Sequence, residues 1–262
     1  MADCGISAIL FDLDNTLVDT AGAGKVAFQE VGNLLKCKLD HANINDICER
    51  FGKKLLKESF NPSASQTIDE VRINHWQEAL QEAGVDAGQD LALECYYTWK
   101  NTRLQTLSLP PEYLALLKKL RSSYKLLLLT NGDTQTQREK VEAVGCEELF
   151  DAVVVGGEHA EQKPATSIFM HCFELLGVQP HECIMVGDSL DTDIQGGINA
   201  GVRATVWINK KNTPPPQNIT PDYNIPCVLD LPDILANLRC YSLHKANSLF
   251  SRAYQSEMSQ IQ

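Results

Sequence analysis

Five short apolar runs punctuate the chain: Ala8–Phe11, Leu126–Leu129, Ala152–Val155, Ile184–Val186 and Ala204–Ile208. Each is too short for a helix and too continuous for a strand with one wet face, so each predicts a strand buried on both sides in a parallel sheet. Between them, apolar residues recur at helical spacing: Leu114, Leu117 and Leu120 before the second run, Val141 and Val144 after it, and Ile168, Cys172 and Leu175 before the fourth. The alternation predicts an α/β fold, a doubly wound parallel sheet with helices on both faces. One interval breaks the rhythm. Residues 12–125 hold no strand-like run and read as helices punctuated by Gly22, Gly24, Asn61-Pro62-Ser63, Gly84, Gly88 and Pro110-Pro111. A connection of that length should carry structure of its own. The expected organisation is a core from residues 1–17 and 107–240, a helical cap inserted as 18–106 over the C-terminal end of the first strand, and a loose tail over 241–262. Trp76, Tyr96, Tyr97 and Trp99 are expected to pack the interior of the cap. Beyond the fifth run, the three prolines of Asn212–Gln217 predict a loop. A short strand at Cys227–Leu229 and a helix from Pro232 to Leu238 should follow it.

Composition narrows the function classes. The chain has 262 residues, 44% hydrophobic and 22% charged, as an ordinary globular protein does. Its 34 acidic against 23 basic residues leave a formal charge of −11, which argues against a nucleic-acid partner, because phosphate-backbone binding needs a basic face. An anionic ligand must therefore be held locally, by a metal or a few lysines. No apolar run approaches the roughly 18 residues of a membrane helix, and the opening stretch reaches Asp12 without the basic segment of a signal peptide. The nine cysteines are scattered with no CxxC pair. That pattern predicts a reducing, cytoplasmic setting and argues against a zinc site or a disulfide framework. Nothing in the composition calls for an obligate protein partner.

The polar residues that could do chemistry follow the apolar runs. Asp12-Leu13-Asp14-Asn15-Thr16 follows the first, Thr130-Asn131-Gly132-Asp133 the second, Lys163-Pro164 the third after a loop, and Gly187-Asp188 through Asp193 the fourth. Carboxyl ends of strands are where open α/β sheets bind ligands, at the point where strand order reverses. Asp12, Asp14 and Asp188 should converge there, and three carboxylates at one buried edge need a cation; an all-oxygen set with room for water suits Mg2+. Thr130 offers a hydroxyl, and Asn131 and Gly132 free N–H groups, to a phosphate oxygen. Pro164 suits a first helical turn, which places Lys163 at a helix cap, an unfavourable place for a cation unless it faces an anion. Singly, DxD, Thr-Asn-Gly and Lys-Pro are turns or surface. In order, each behind its own strand, they predict a catalytic site. There is no GxxxxGK loop, no HExxH and no GxSxG elbow.

With these residues in place, the chain resembles the haloacid dehalogenase superfamily of phosphotransferases. Phe11-Asp12-Leu13-Asp14-Asn15-Thr16-Leu17 is similar to its DxDxT motif, Leu129-Thr130-Asn131-Gly132 to the second, Lys163-Pro164 to the third and Gly187-Asp188 through Asp193 to the fourth. The inserted helices resemble that superfamily's C1 cap. The resemblance implies Asp12 as nucleophile and Asp14 as general acid and then base. It implies Mg2+ held by the Asp12 and Asp188 carboxylates and the Asp14 backbone carbonyl. The phosphoryl group would be bound by Lys163, Thr130, Leu13, Asn131 and Gly132, and Asp193 would orient Lys163 or support the metal. An acid at position 14 separates phosphatases from dehalogenases, because a departing halide needs no proton.

Further stretches, Phe11–Gly22, Thr130–Lys140, Asp151–Glu158 and Val186–Gly201, resemble a branch of sugar phosphatases whose small-molecule substrate carries a carboxylate far from its phosphate. The cap should then supply a cation, with Arg72 and Arg103 the candidates by location and Lys25 the third. A phosphatase or mutase acting on another small sugar phosphate would keep the same motifs. A non-catalytic receiver-like module that binds magnesium and phosphate is the alternative of a different class, against which stand the late GDxxxxD and the long cap.

Overall fold

A computed structural model describes residues 5–40, 43–58, 66–86, 88–214 and 218–238. Strand β1, Ala8–Phe11, is fully shielded along its length, as a strand between two helical layers must be. It pairs in parallel with β2 (Lys125–Thr130) on one side and β4 (Cys183–Gly187) on the other. With β3 (Ala152–Val155), β5 (Ala204–Ile208) and β6 (Tyr223–Ile225) the order is β3-β2-β1-β4-β5-β6. Strand order reverses at β1, so Asp12, the next residue, stands at the switch point.

Side chains of β1 alternate between the two faces. Ile9 and Phe11 join Leu117, Leu120 and Val141 on one side, from α5 (Pro111–Arg121) and α6 (Thr134–Val144). Ala8 and Leu10 join Ile168, Phe169 and Cys172 of α7 (Thr166–Leu176) on the other. Each fully buried Leu or Phe is worth about 1.5–3 kcal/mol, which fixes the strand's register against a slip that would exchange the faces. Helix α8 (Gln195–Ala200) ends at Gly201, whose φ of 73° is the left-handed closure that glycine permits.

Between β1 and α5 four helices form a separate cluster: α1 (Thr20–Lys38), α2 (Ile44–Lys57), α3 (Ile68–Glu82) and α4 (Gln89–Thr106). Phe51 and Trp76 stack at 3.9 Å and 14°, and Trp99 meets Phe51 edge-on at 5.3 Å. Trp76, Tyr96 and Trp99 are interior, as expected, whereas Tyr97 is 43% exposed. Tyr97 follows Tyr96 by about 100° around α4, which turns its ring outward.

The last strand departs from the expectation. Residues Val228–Asp230 form a 3-10 turn, and the strand is Tyr223–Ile225, paired with β5. Pro226 holds the residue before it extended, and Asn209 N–H donates to the Ile225 carbonyl at 2.9 Å. Helical backbone follows over residues 231–238. Residues 215–217 of the proline loop and the expected tail lie outside the described residues. Among the described residues no helix is long and apolar enough to cross a membrane, and the seven described cysteines are all free thiols.

Candidate active site

The chain leaves β1 with Asp12 still in the ladder, its N–H donating to the Val186 carbonyl at 2.9 Å. It then turns sharply. Asn15 takes a left-handed φ of 59°, which Asn tolerates better than most residues. Its N–H donates to the Val18 carbonyl at 2.8 Å, and its side chain accepts from Ala21 N–H at 2.9 Å. Asp19 then caps α1 by accepting from Gly22 N–H. The turn sends the two aspartates to different partners.

Asp12 is 6% exposed and faces Lys163, whose Nζ lies 2.8 Å from Asp12 Oδ1 and 2.7 Å from Asp193 Oδ1. The ammonium also donates to the Leu129 carbonyl at 2.7 Å. Asp193 is held in turn by Ser189 N–H at 3.0 Å. It reaches the site because residue 187 is glycine: a Cβ there would stand 2.2 Å from Asp193 Oδ2. Asp188 completes the edge, with the Trp207 indole donating to its backbone carbonyl at 2.8 Å. Carboxylate oxygens of Asp12, Asp188 and Asp193 lie within 4.8 Å of one another. Burial, more than the neighbouring carboxylates, pushes Asp12 up to about 7 and Asp188 up to about 6. Burial also opposes the charge on Lys163, but Asp12 and Asp193 outweigh it and hold the ammonium protonated. An all-oxygen set of repelling carboxylates, two buried and one half-buried, is the donor chemistry of Mg2+. Thr130, fully buried at the end of β2, leaves its hydroxyl without a protein partner, which fits a ligand oxygen.

Asp14 goes elsewhere. Its carboxylate is not in the Asp12–Asp188–Asp193 group, correcting the expectation that Asp12, Asp14 and Asp188 would meet. The turn at Asn15 sends the Asp14 side chain toward α6 instead. Lys140 Nζ instead spans both Asp14 oxygens at 2.9 and 2.8 Å, Gln137 Nε2 donates at 3.1 Å and the Thr20 hydroxyl donates as well. Burial alone would raise Asp14, and these partners more than reverse it, holding the carboxyl below its ordinary value. Lys140 is itself pulled down by burial and by nearby Arg103 and Arg72 against the attraction of Asp14.

A family model for haloacid dehalogenase-like hydrolases matches residues 6–201. The chain belongs to that family. It is 52% identical to the N-acylneuraminate-9-phosphatases of Rattus norvegicus and Homo sapiens, over 90% of this chain and 96% of each relative. Among solved structures it is similar to the Bacillus subtilis HAD-hydrolase YfnB bound to magnesium. There the identity is 25% and the TM-score 0.65, over 88% of this chain and 99% of that one.

Within this haloacid dehalogenase-like frame, several sequence expectations change. Lys163 is not a helix cap: α7 begins at Thr166 with Ala165 at its cap. Lys163 is anchored instead by Asn131, whose Oδ1 accepts from Lys163 N–H at 3.0 Å and whose Nδ2 donates to the Lys163 carbonyl at 2.8 Å. The Asn131 side chain thus holds the Lys163 backbone in place on both sides. Gly132 N–H donates to Gln162 Oε1 at 2.9 Å, so it too is occupied. Glycine is needed at 132 for its φ of 128° and because a Cβ would stand 2.7 Å from Gln137 Nε2. Leu13 is buried between the two aspartates.

The α1–α4 cluster meets the rest of the chain along α6, which is capped by Asp133, whose side chain accepts from Thr136 N–H. Arg72 Nη1 donates to the Thr136 hydroxyl at 2.9 Å, and Lys100 bridges Asp69 at 2.9 Å and Glu139 at 2.7 Å. Arg72 is further paired with Glu58 through Nε and Nη2. Arg103 differs: its guanidinium lies 4.5 Å over the Trp99 ring, and among the described residues no hydrogen bond or ion pair engages it. Lys25 is exposed on α1. Arg72, Trp99 and Arg103 border a cavity of about 760 Å³ that also reaches Thr20, beside Asp14.

Sequence reasoning missed Lys140, Gln137 and Thr20. A signal existed for two of them: Gln137 and Lys140 share a helical face with Val141 and Val144, and both are buried. Polar residues on the core-facing stripe of a helix require buried partners.

Proposed function

We propose that the protein is a magnesium-dependent phosphatase that hydrolyses N-acylneuraminate 9-phosphate to N-acylneuraminate and phosphate, in sialic acid biosynthesis. The observation that carries the reading is the buried Asp12–Lys163–Asp193 group beside the unpartnered Thr130 hydroxyl. It joins a nucleophile to donors for a phosphoryl group. The 52% identity to N-acylneuraminate-9-phosphatases supports the choice of substrate, and the magnesium-bound relative supports the metal.

Asp12 attacks phosphorus in line, forming an aspartyl-phosphate as the sugar oxygen leaves. Asp14 supplies the proton to that oxygen and then takes one from the water that releases phosphate. It therefore has to give up part of its hold on Lys140 and pick up a proton before the first step. Lys163, Thr130 and Leu13 receive the charge of the transferring group. Asp12, Asp188 and the Asp14 backbone carbonyl would hold Mg2+, which supplies charge neutralisation for the phosphate oxygens. Both Asp193 oxygens are already engaged, so it serves to orient Lys163. The substrate's carboxylate meets Arg103, whereas Arg72 is committed to Glu58 and Thr136.

Phosphate release with Mg2+ across a panel of sugar phosphates, with Asp12→Ala as control, tests the reading. A strong preference for N-acylneuraminate 9-phosphate, lost in the control, is expected. Weak activity on every member would remove the substrate assignment. KM for that substrate should rise in Arg103→Ala by about tenfold or more, the worth of a lost charged hydrogen bond, and rise less in Arg72→Ala. An unchanged KM in both would refute the cap cation.

A further inference from the structure

The cavity lined by α1, α2, α3 and α4 is walled on two sides by helices that each present a glycine to it, Gly24 on α1 and Gly52 on α2. Glycine inside a helix weakens it relative to alanine, so each should answer to a local demand. Gly22 shows what such a demand looks like: a Cβ there would stand 2.1 Å from Asp19 Oδ2, in the cap of α1. Gly24 and Gly52 meet no such demand. A Cβ on Gly24 would meet nothing within 4 Å among the described residues, and one on Gly52 only Phe28 Cζ at 3.7 Å, an ordinary contact. Neither has a positive φ.

Their positions relative to the chemistry are informative. Thr20, Gly24 and Phe28 succeed one another at four-residue steps on one face of α1, each roughly 6 Å further along the axis. Thr20, which donates to Asp14, lines the cavity one helical turn before Gly24. Cys48, Gly52 and Leu56 make the matching row on α2. The charged wall, with Arg103, lies across the same cavity.

We propose that Gly24 and Gly52 are specificity-determining positions. Their missing side chains leave the channel through which the carbon chain and acyl arm of a long acidic sugar phosphate extend from Asp14 past Phe28. The choice of substrate rests on the proposed function. The channel itself does not, since any long phosphate ester processed at Asp12 would use it.

The test measures kcat/KM along a ladder of primary phosphate esters from three carbons to the nine-carbon acid, for the unmodified enzyme, Gly24→Leu and Gly52→Leu. Gly24→Ala and Gly52→Ala are followed by thermal unfolding. The leucine variants should lose about tenfold more on the longest ester than on the shortest, the scale on which pocket volume discriminates, with the loss in KM. The alanine variants should raise Tm. Equal losses along the ladder, or none, would overturn the proposal, as would a lower Tm in both alanine variants. If the nine-carbon acid is not a substrate of the unmodified enzyme, the proposed function fails, and the dependence on length over the remaining esters still decides the role of the glycines.

Discussion

Two aspartate–lysine pairs sit two residues apart at the end of β1, and the surroundings give them opposite characters. Asp12 and Lys163 lie among other carboxylates in a nearly dry edge, where burial raises the aspartate to about 7. Asp14 and Lys140 have no second carboxylate between them, and the hydroxyl of Thr20 and amide of Gln137 complete the cage, so Asp14 is held low. The first pair lacks positive charge, and Lys163 divides its ammonium between Asp12 and Asp193. The second is self-sufficient and must be opened to work. The two aspartates thus differ in how many neighbours compete for one cation.

The largest expected effect is on the first pair. Asp12→Asn should lower phosphate release by about 10⁴-fold or more while the fold persists, as loss of a nucleophile does; residual turnover near the unmodified rate would mean that the two aspartates have been assigned in the wrong order. Lys163→Met comes next. It strands two carboxylates with about 1% side-chain exposure for Asp193 and 9% for Asp12, and removal of one partner from a buried pair costs about 3–5 kcal/mol, readable by urea unfolding in chelator. Lys140→Met should cost less, about 1–3 kcal/mol, because Asp14 is 25% exposed and keeps two hydrogen-bond donors. Without Lys140, Asp14 should take up its proton more readily, so the pH range of turnover on alkyl phosphates should extend upward, with little change in the release of p-nitrophenol, whose oxygen leaves without a proton. Equal stability losses for the two lysine variants would erase the distinction between the pairs.

The smallest effect is in pH. A carboxyl raised in the folded state binds more protons there than in the unfolded chain, so in metal-free protein Asp12 erodes stability as pH rises from about 4 to about 7. A carboxyl lowered in the folded state does the reverse. Asp14 contributes stability above the ordinary carboxylate range that is lost as pH falls through its lowered value. Asp12→Asn should flatten the decline toward pH 7, and Asp14→Asn the loss on the acid side. The same slope in both variants would contradict the comparison.

Much of the first pair was legible in the sequence and little of the second. Asp12, Thr130, Lys163 and Asp188 each follow an apolar run, and parallel strands bring their carboxyl ends to one edge whatever the helices do. Lys140 and Thr20 sit on helices, where only the partner's position reveals a role. The strand ends place Asp12 and Asp14 near each other, but the spacing does not show that the Asn15 turn aims the Asp14 carboxylate at Lys140. The sequence does not show that Gln162 accepts from Gly132 N–H or that the Asn131 side chain holds the Lys163 backbone. The final strand was misplaced because three residues carry no periodic signal, and Pro226 set its end.

The division of labour is tested most directly by quenched mass spectrometry of the protein after mixing Asp14→Asn with p-nitrophenyl phosphate and Mg2+. The expected result is one phosphoryl group per chain on Asp12, with a burst of p-nitrophenol and slow turnover, since the leaving group departs unaided and no base activates the water. A phosphoryl group on another residue, or steady turnover with an unlabelled Asp12, would contradict it.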